Sequence, residues 1–163
     1  MAAIDQVLET NAQYAATFTR GNLPMPPARK LAVVTCMDAR ISPAHALGLE
    51  EGDAHVIRNA GGRMVEALRS LAISQLLLGT EEVAVIHHTD CGMLTFTDDD
   101  IRKKIQVQLN GNADHIAFLP FSDVEASVRQ DIAAYRDSKI VRQDIPVRGF
   151  VYDVKTGRLS EVN

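Results

Sequence analysis

Three short apolar runs, each ending on residues with chemistry to offer, constrain this chain more than any other feature. Leu31-Ala32-Val33-Val34-Thr35 stops at Cys36, Ala54-His55-Val56-Ile57-Arg58 stops at Asn59-Ala60-Gly61-Gly62, and Val83-Ala84-Val85-Ile86-His87 stops at His88. The first is β-branched and continuously apolar, the pattern of a strand buried on both faces. Between the second and third, Val65, Leu68, Leu71, Ala72 and Leu76 follow one side of a helix over 64–78, and Gly79 supplies its stop. Further helices are expected over about 98–108 and about 122–136, where Val124, Val128, Ile132 and Tyr135 recur. Residues 147–154 read as a fourth strand. Lys155-Thr156-Gly157-Arg158 then turns the chain into a short last strand ending near Val162.

Strand–helix alternation of this kind predicts an α/β fold, a mostly parallel sheet flanked by helices with right-handed crossovers. Sites in such sheets form beyond the carboxyl ends of the strands. Cys36, the Asn59–Gly62 segment, His88 and the nearby Cys91 should therefore share one sheet edge. Ahead of the sheet, Ile4, Val7, Leu8, Ala12, Ala15 and Phe18 repeat at helical spacing over 4–19. The prolines of Leu23-Pro24-Met25-Pro26-Pro27 forbid helix after it, leaving an N-terminal helix tied to the body by an extended strap. At 163 residues, 46% hydrophobic, the chain fits one domain over 1–163 with a core that needs no staples.

The charge balance excludes several functions. A net charge of −4 with scattered lysines and arginines offers no basic stripe to a nucleic acid. Asp98-Asp99-Asp100 suits the first turn of a helix. No apolar stretch approaches a membrane span, and Met-Ala-Ala-Ile-Asp-Gln has neither a basic nor an apolar leader region. A cytoplasmic, reducing setting is expected, where Cys36 and Cys91 read as metal-binding or catalytic thiols and not as a disulfide.

His88-Thr89-Asp90-Cys91 spaces an imidazole and a thiolate so that both can reach one tetrahedral ion, and Cys36 arrives from another strand end as a third ligand. Mixed sulfur and nitrogen donors select a borderline-soft ion, of which zinc is the usual one. In Cys36-Met37-Asp38-Ala39-Arg40, the carboxylate can reach the metal or its bound water, and Arg40 can grip that carboxylate with two parallel hydrogen bonds. Such pairing would draw Asp38 away from the ion and leave a coordination position open for water.

The C-x-D-x-R segment, R-N-A-G and H-x-x-C in this order resemble the β-class carbonic anhydrases, and the short His87-His88-Thr89-Asp90-Cys91-Gly92-Met93 stretch resembles their compact microbial branch, which also contains carbonyl sulfide hydrolases. The resemblance implies one Zn2+ per subunit on Cys36, His88 and Cys91, with Asp38 and Arg40 as a catalytic dyad. Asp38 would accept a hydrogen bond from the attacking oxygen or, in a closed state, become the fourth ligand. Asn59, Ala60 and Gly61 would line an apolar pocket at a subunit interface. Dimers, or dimers of dimers, would form with the N-terminal helix packed on a partner subunit. The reaction implied is hydroxide attack on a small linear X=C=O molecule: hydration of CO2 to bicarbonate, or hydrolysis of carbonyl sulfide to CO2 and hydrogen sulfide. Plant-type members place a glutamine shortly before the first ligand strand. Met25-Pro26-Pro27-Ala28 stands there instead, so the plant-type mode of holding CO2 does not carry over.

Competing readings have their own tests. A closed structural zinc site, or a non-catalytic protein that binds zinc or bicarbonate, would have no use for Asp38 and Arg40. A redox pair would favour C-x-x-C spacing, and Gly61-Gly62 is no G-x-G-x-x-G nucleotide loop. Alternation along the strand turns His87 away from His88, as a packed histidine. His45, His55 and His87 are the candidates for a proton relay, and Phe96 is either a pocket lid or loop packing. Met37, Met64, Met93 and Leu94 are further candidates for the pocket wall.

Overall fold

The computed structural model describes residues 2–163, and a five-stranded sheet organises them. Strands β1 (Leu31–Cys36), β2 (Ala54–Asn59), β3 (Glu82–His88) and β4 (Val147–Tyr152) run parallel in the spatial order β2-β1-β3-β4. The last strand, β5 (Leu159–Val162), adds to the far side of β4 antiparallel. Central β1 is buried from Ala32 to Cys36, whereas β2, at the sheet edge, alternates between half-buried and exposed residues. Register pairs Cys36 with Asn59, Thr35 with Ile86 and His88 with Tyr152. The carboxyl ends of the first three strands therefore meet at one edge.

The described residues also form five α-helices: α1 (Val7–Ala16), α2 (Pro43–Leu47), α3 (Met64–Leu76), α4 (Asp98–Leu109) and α5 (Val124–Asp137), of which α3 and α5 pack on the sheet. Ala32, Val34, Val83 and Val85 pack on Met64, Ala67 and Leu71 of α3 and on Tyr135 of α5, forming the main core. Contact between α5 and β4 is so close that a Cβ at Gly149 would overlap Val128 Cγ1, so the strand needs glycine there. Reciprocal capping starts α4: Asp100 N–H donates to Thr97 Oγ1, and Thr97 N–H donates to Asp100 Oδ2. The three aspartates occupy its first turn, the end that favours negative charge. Asp123 caps α5 through Ala126 N–H at 2.6 Å.

Several boundaries differ from the periodicity. The N-terminal helix opens with a 3-10 turn over Ala3–Gln6 and stops at Ala16. β4 stops at Tyr152 because the Asp153 carboxylate accepts from Lys155 N–H and Thr156 N–H and turns the chain. Helix α2 has too few residues for an apolar period. Its signals are Pro43 at the start and left-handed Gly48 at the end. The N-terminal arm buries nothing: Ile4, Val7, Tyr14 and Phe18 are exposed, and Leu8 is 82% exposed. Polar contacts hold it, Tyr14 hydroxyl to Glu51 and Arg20 to Glu50. Among the described residues, no helix is long and apolar enough to cross a membrane.

Candidate metal centre

Cys36 is the last residue of β1 and His88 the last of β3, on neighbouring parallel strands. Cys91 follows a tight turn that Asp90 makes possible in the left-handed region at φ +55°. The ligand atoms of these three buried residues lie within 4.8 Å of one another. Cys36 Sγ and Cys91 Sγ are 4.0 Å apart. Two sulfurs bound at about 2.3 Å to a tetrahedral zinc stand about 3.8 Å apart, so the pair is already set for one ion. His88 Nδ1–H donates to Thr89 O at 2.9 Å, which fixes the tautomer and leaves Nε2 with a free lone pair. That Nε2 is buried and has no hydrogen-bond partner among the described residues. An orphaned nitrogen lone pair facing two thiols is the donor set of a zinc centre, and these residues fit one.

The thiols are not equivalent. Hydrogen bonding from Cys91 pulls the Cys36 thiol well below its ordinary value, helped by His88 and by backbone N–H groups including Gly61 N–H at 3.3 Å. The same contact pushes Cys91 up. Gly62 brings this backbone close. With φ +70°, a Cβ there would lie 2.9 Å from both Cys36 N and Thr35 C.

Asp38 lies beside the centre, its Oδ2 3.8 Å from His88 Nε2. Arg40 grips it twice, Nε to Oδ1 at 3.0 Å and Nη2 to Oδ2 at 2.7 Å, and the Arg40 backbone N–H adds a third bond at 2.9 Å. These bonds hold the Asp38 carboxyl far below the usual carboxylate range. Arg40 also spans to the other ligand loop, donating to Asp90 Oδ2 and to Asp90 O. Arg58, quoted in the R-N-A-G stretch without a role, donates to Cys36 O and Asp38 O and braces the backbone between them.

A cavity of about 500 Å3 opens over the centre. Cys36, Asp38, Cys91, Ala60 and Gly61 line it, together with the apolar side chains of Met37, Met93, Phe96, Ile101 and Phe118. Asn59 is not on this wall. Its side chain instead closes the turn below, accepting from Arg63 N–H at 2.6 Å and donating to Arg63 O at 2.9 Å. Met64 is buried in the main core, and Leu94 packs behind the centre. None of the candidate relay histidines lines the cavity. His45 meets Ser42, His55 meets Ser74, and His87 is buried against Ser127 and Asp131. Ile101 and Phe118 escaped the sequence reading; the helical period of α4 carries the first, and Phe118 sits in an aperiodic loop that gives no signal.

Sulfur and nitrogen donors at the carboxyl edge of a parallel sheet, with a locked carboxylate–guanidinium pair beside an apolar cavity, make a candidate site for one metal ion in an α/β protein. A family model described as carbonic anhydrase matches residues 31–159, and the chain belongs to that family. It is 47% identical over 163 residues to beta-carbonic anhydrase 1 of Mycobacterium tuberculosis (strain ATCC 25618 / H37Rv), covering 99% of each chain. It is 33% identical over 184 residues to the carbon disulfide hydrolase of Acidianus sp. (strain A1-3), covering 98% of this chain and 89% of that one. The crystal structure of carbonic anhydrase from Streptococcus mutans superposes with a TM-score of 0.95 at 46% identity, covering 100% of this chain and 99% of that one.

Proposed function

We propose that this chain is a zinc-dependent carbonic anhydrase that hydrates CO2 reversibly to bicarbonate. One observation carries the reading: Asp38 is locked on Arg40 beside three converged donor side chains that could hold an ion, so that carboxylate is engaged by the guanidinium and would leave room for water on a bound metal. The 47% identity to a beta-carbonic anhydrase supports it. Cys36, His88 and Cys91 would hold Zn2+, which when bound supplies a Lewis acid that brings the pKa of a bound water to about 7. Asp38, ionised and able only to accept, would orient the attacking oxygen by accepting a hydrogen bond from it, and Arg40 keeps that carboxylate in place. Ala60 and Gly61 bring backbone to the same end of the cavity, and Met93, Phe96, Ile101 and Phe118 favour a small nonpolar molecule. With no histidine on the wall, the released proton passes to solvent at the cavity mouth.

Carbonyl sulfide hydrolysis at the same centre is the second reading. The thioethers of Met37 and Met93 give a soft, polarisable wall suited to sulfur. The protein works as one domain in the reducing cytoplasm, which keeps both ligand thiols free, and as a homo-oligomer that covers the exposed apolar face of α1.

Paired initial rates for CO2 hydration and carbonyl sulfide hydrolysis on one zinc-quantified preparation test both readings. Fast CO2 turnover with trace sulfide release is the expected result, and Asp38→Ala should lose roughly 10²-fold in kcat. Sulfide release with poor CO2 hydration would establish the second reading. Silence on both with zinc bound would overturn the enzyme.

A further inference from the structure

A buried charged cluster behind the metal ligands has no part in the proposed reaction. Arg63, 8% exposed, lies 3.1 Å through Nη2 from Oδ1 of Asp131, which is 1% exposed. The other Asp131 oxygen lies 3.0 Å from His87 Nε2. Burying a guanidinium is expensive, and this one leaves its Nε–H without a partner among the described residues. The fold accepts that cost at the residue following the Gly61-Gly62 turn beneath Cys36.

The remaining arm of the guanidinium reaches a loop. Arg63 Nη1 donates to Leu119 O at 3.2 Å, and the guanidinium lies over the Phe121 ring at 5.5 Å, itself stacked on His87. Leu119 is left-handed at φ +61°, and Pro120 follows it. A branched L-residue avoids that region, and a residue before proline is pushed toward extended backbone, so the conformation persists only where its surroundings impose it. Residues 110–123 contain no helix or strand, yet Phe118 in this loop forms part of the cavity wall. Other side-chain and backbone anchors tie the loop to α4 and its approach: Arg102 to Ile116 O, Phe118 N–H to Asp98, and Phe121 N–H to Met93 O. Arg63 ties it instead to the turn under the metal ligand and, through Asp131, to α5.

We infer that Arg63 is a positioning residue that latches Leu119 in its left-handed conformation, standing Phe118 over the cavity and limiting the size of substrate admitted. Asp131 holds the guanidinium in the orientation that reaches the loop. The kinetic side of this inference rests on the proposed reaction, and the conformational side rests on the geometry alone.

Arg63→Met removes the latch, and Arg63→Met/Asp131→Asn does so without leaving a buried carboxylate unpaired, which protects the fold. Hydrogen exchange by mass spectrometry on the zinc-loaded variants should show peptides over 112–122 exchanging roughly tenfold faster, with β1 and β3 unchanged. The kcat/KM for CO2 should fall about fivefold, chiefly through KM, while hydrolysis of the bulkier p-nitrophenyl acetate holds or rises. Arg63→Lys, which cannot serve Asp131 and Leu119 O together, should fall between wild type and Arg63→Met. Exchange that rises uniformly or not at all, or both rates falling by one factor, would reduce Arg63 to a core ion pair and overturn the latch. If the wild type hydrates no CO2, the proposed reaction fails, and exchange over 112–122 alone decides the latch.

Discussion

Asp38 shows how a single residue's environment sets its pH range. Arg40 depresses the Asp38 pKa in the folded state, so the stabilisation is fully present above the unfolded value of about 3.9 and drains away as pH falls below it. The difference in urea midpoint between wild type and Asp38→Asn should stay constant from pH 8 to 5 and shrink below about pH 4. A difference near zero throughout pH 8 to 5 would mean that the pair does not form in solution. Gly62 offers a second test. Gly62→Ala drives a Cβ into the backbone of Thr35 and Cys36, neither of which can yield, and should cost about 2–4 kcal/mol in urea unfolding with zinc content below stoichiometric. Gly79→Ala has a similar positive φ but open space around it, and should cost about 1 kcal/mol. Equal losses at the two glycines would show that contact with the ligand strand is unimportant. At this scale the ligands are legible in sequence because Cys36, Asp38 and Arg40, and His88 and Cys91, are close neighbours along the chain. Asp131 is not, because a charge within the period of Val128, Ile132 and Tyr135 looks like a solvated helix position, and its partner Arg63 is far away in sequence.

Elements with strong periods follow their sequence closely. β1, β3, α3 and α5 are long or apolar enough that burial decides them, and each lies within a few residues of its expected span. Weak elements answer to local side-chain chemistry, as where Asp153 ends β4 or Pro43 and Gly48 bound α2. Loop 110–123 carries no pattern because side chains from elsewhere anchor it: Arg63, Asp98 and Arg102. α1 is the instructive case. Its apolar period is clear, yet in the single chain Val7 and Leu8 are exposed, and the proposed homo-oligomer would cover them. Removal of residues 2–22 should leave the far-UV spectrum of the sheet and its zinc content intact while reducing the mass seen by light scattering. Leu8→Glu should act in the same direction. An unchanged mass in both would mean that the arm plays no part in assembly.

For the whole molecule, the sheet should form without a metal. The main core between the sheet and α3 and α5 contains none of Cys36, His88 and Cys91, which gather at the strand ends, the two cysteines in a smaller cluster with Ile41 and Met93. Zinc removal by a chelator should therefore abolish CO2 hydration and lower the melting temperature, since an ion bound only to the native state stabilises it by mass action. Far-UV circular dichroism should remain close to that of the loaded protein. Collapse of that signal on chelation would place the metal among the forces that build the sheet.

The pairing of Thr35 with Ile86 carries a consequence for the order of events in the cell. Cys36 and His88 become neighbours only after the chain between them has crossed over to form β2 and α3 and returned as β3 beside β1. Closing such a long parallel crossover is slow compared with forming a helix or a hairpin. While the chain emerges from the ribosome, Cys36 is exposed well before its partners have been made. A metal ion met at that stage finds one thiol and no pocket. On the proposed zinc reading, selectivity for the ion would be exercised late, by the finished site, and not by the lone Cys36 thiol of the nascent chain.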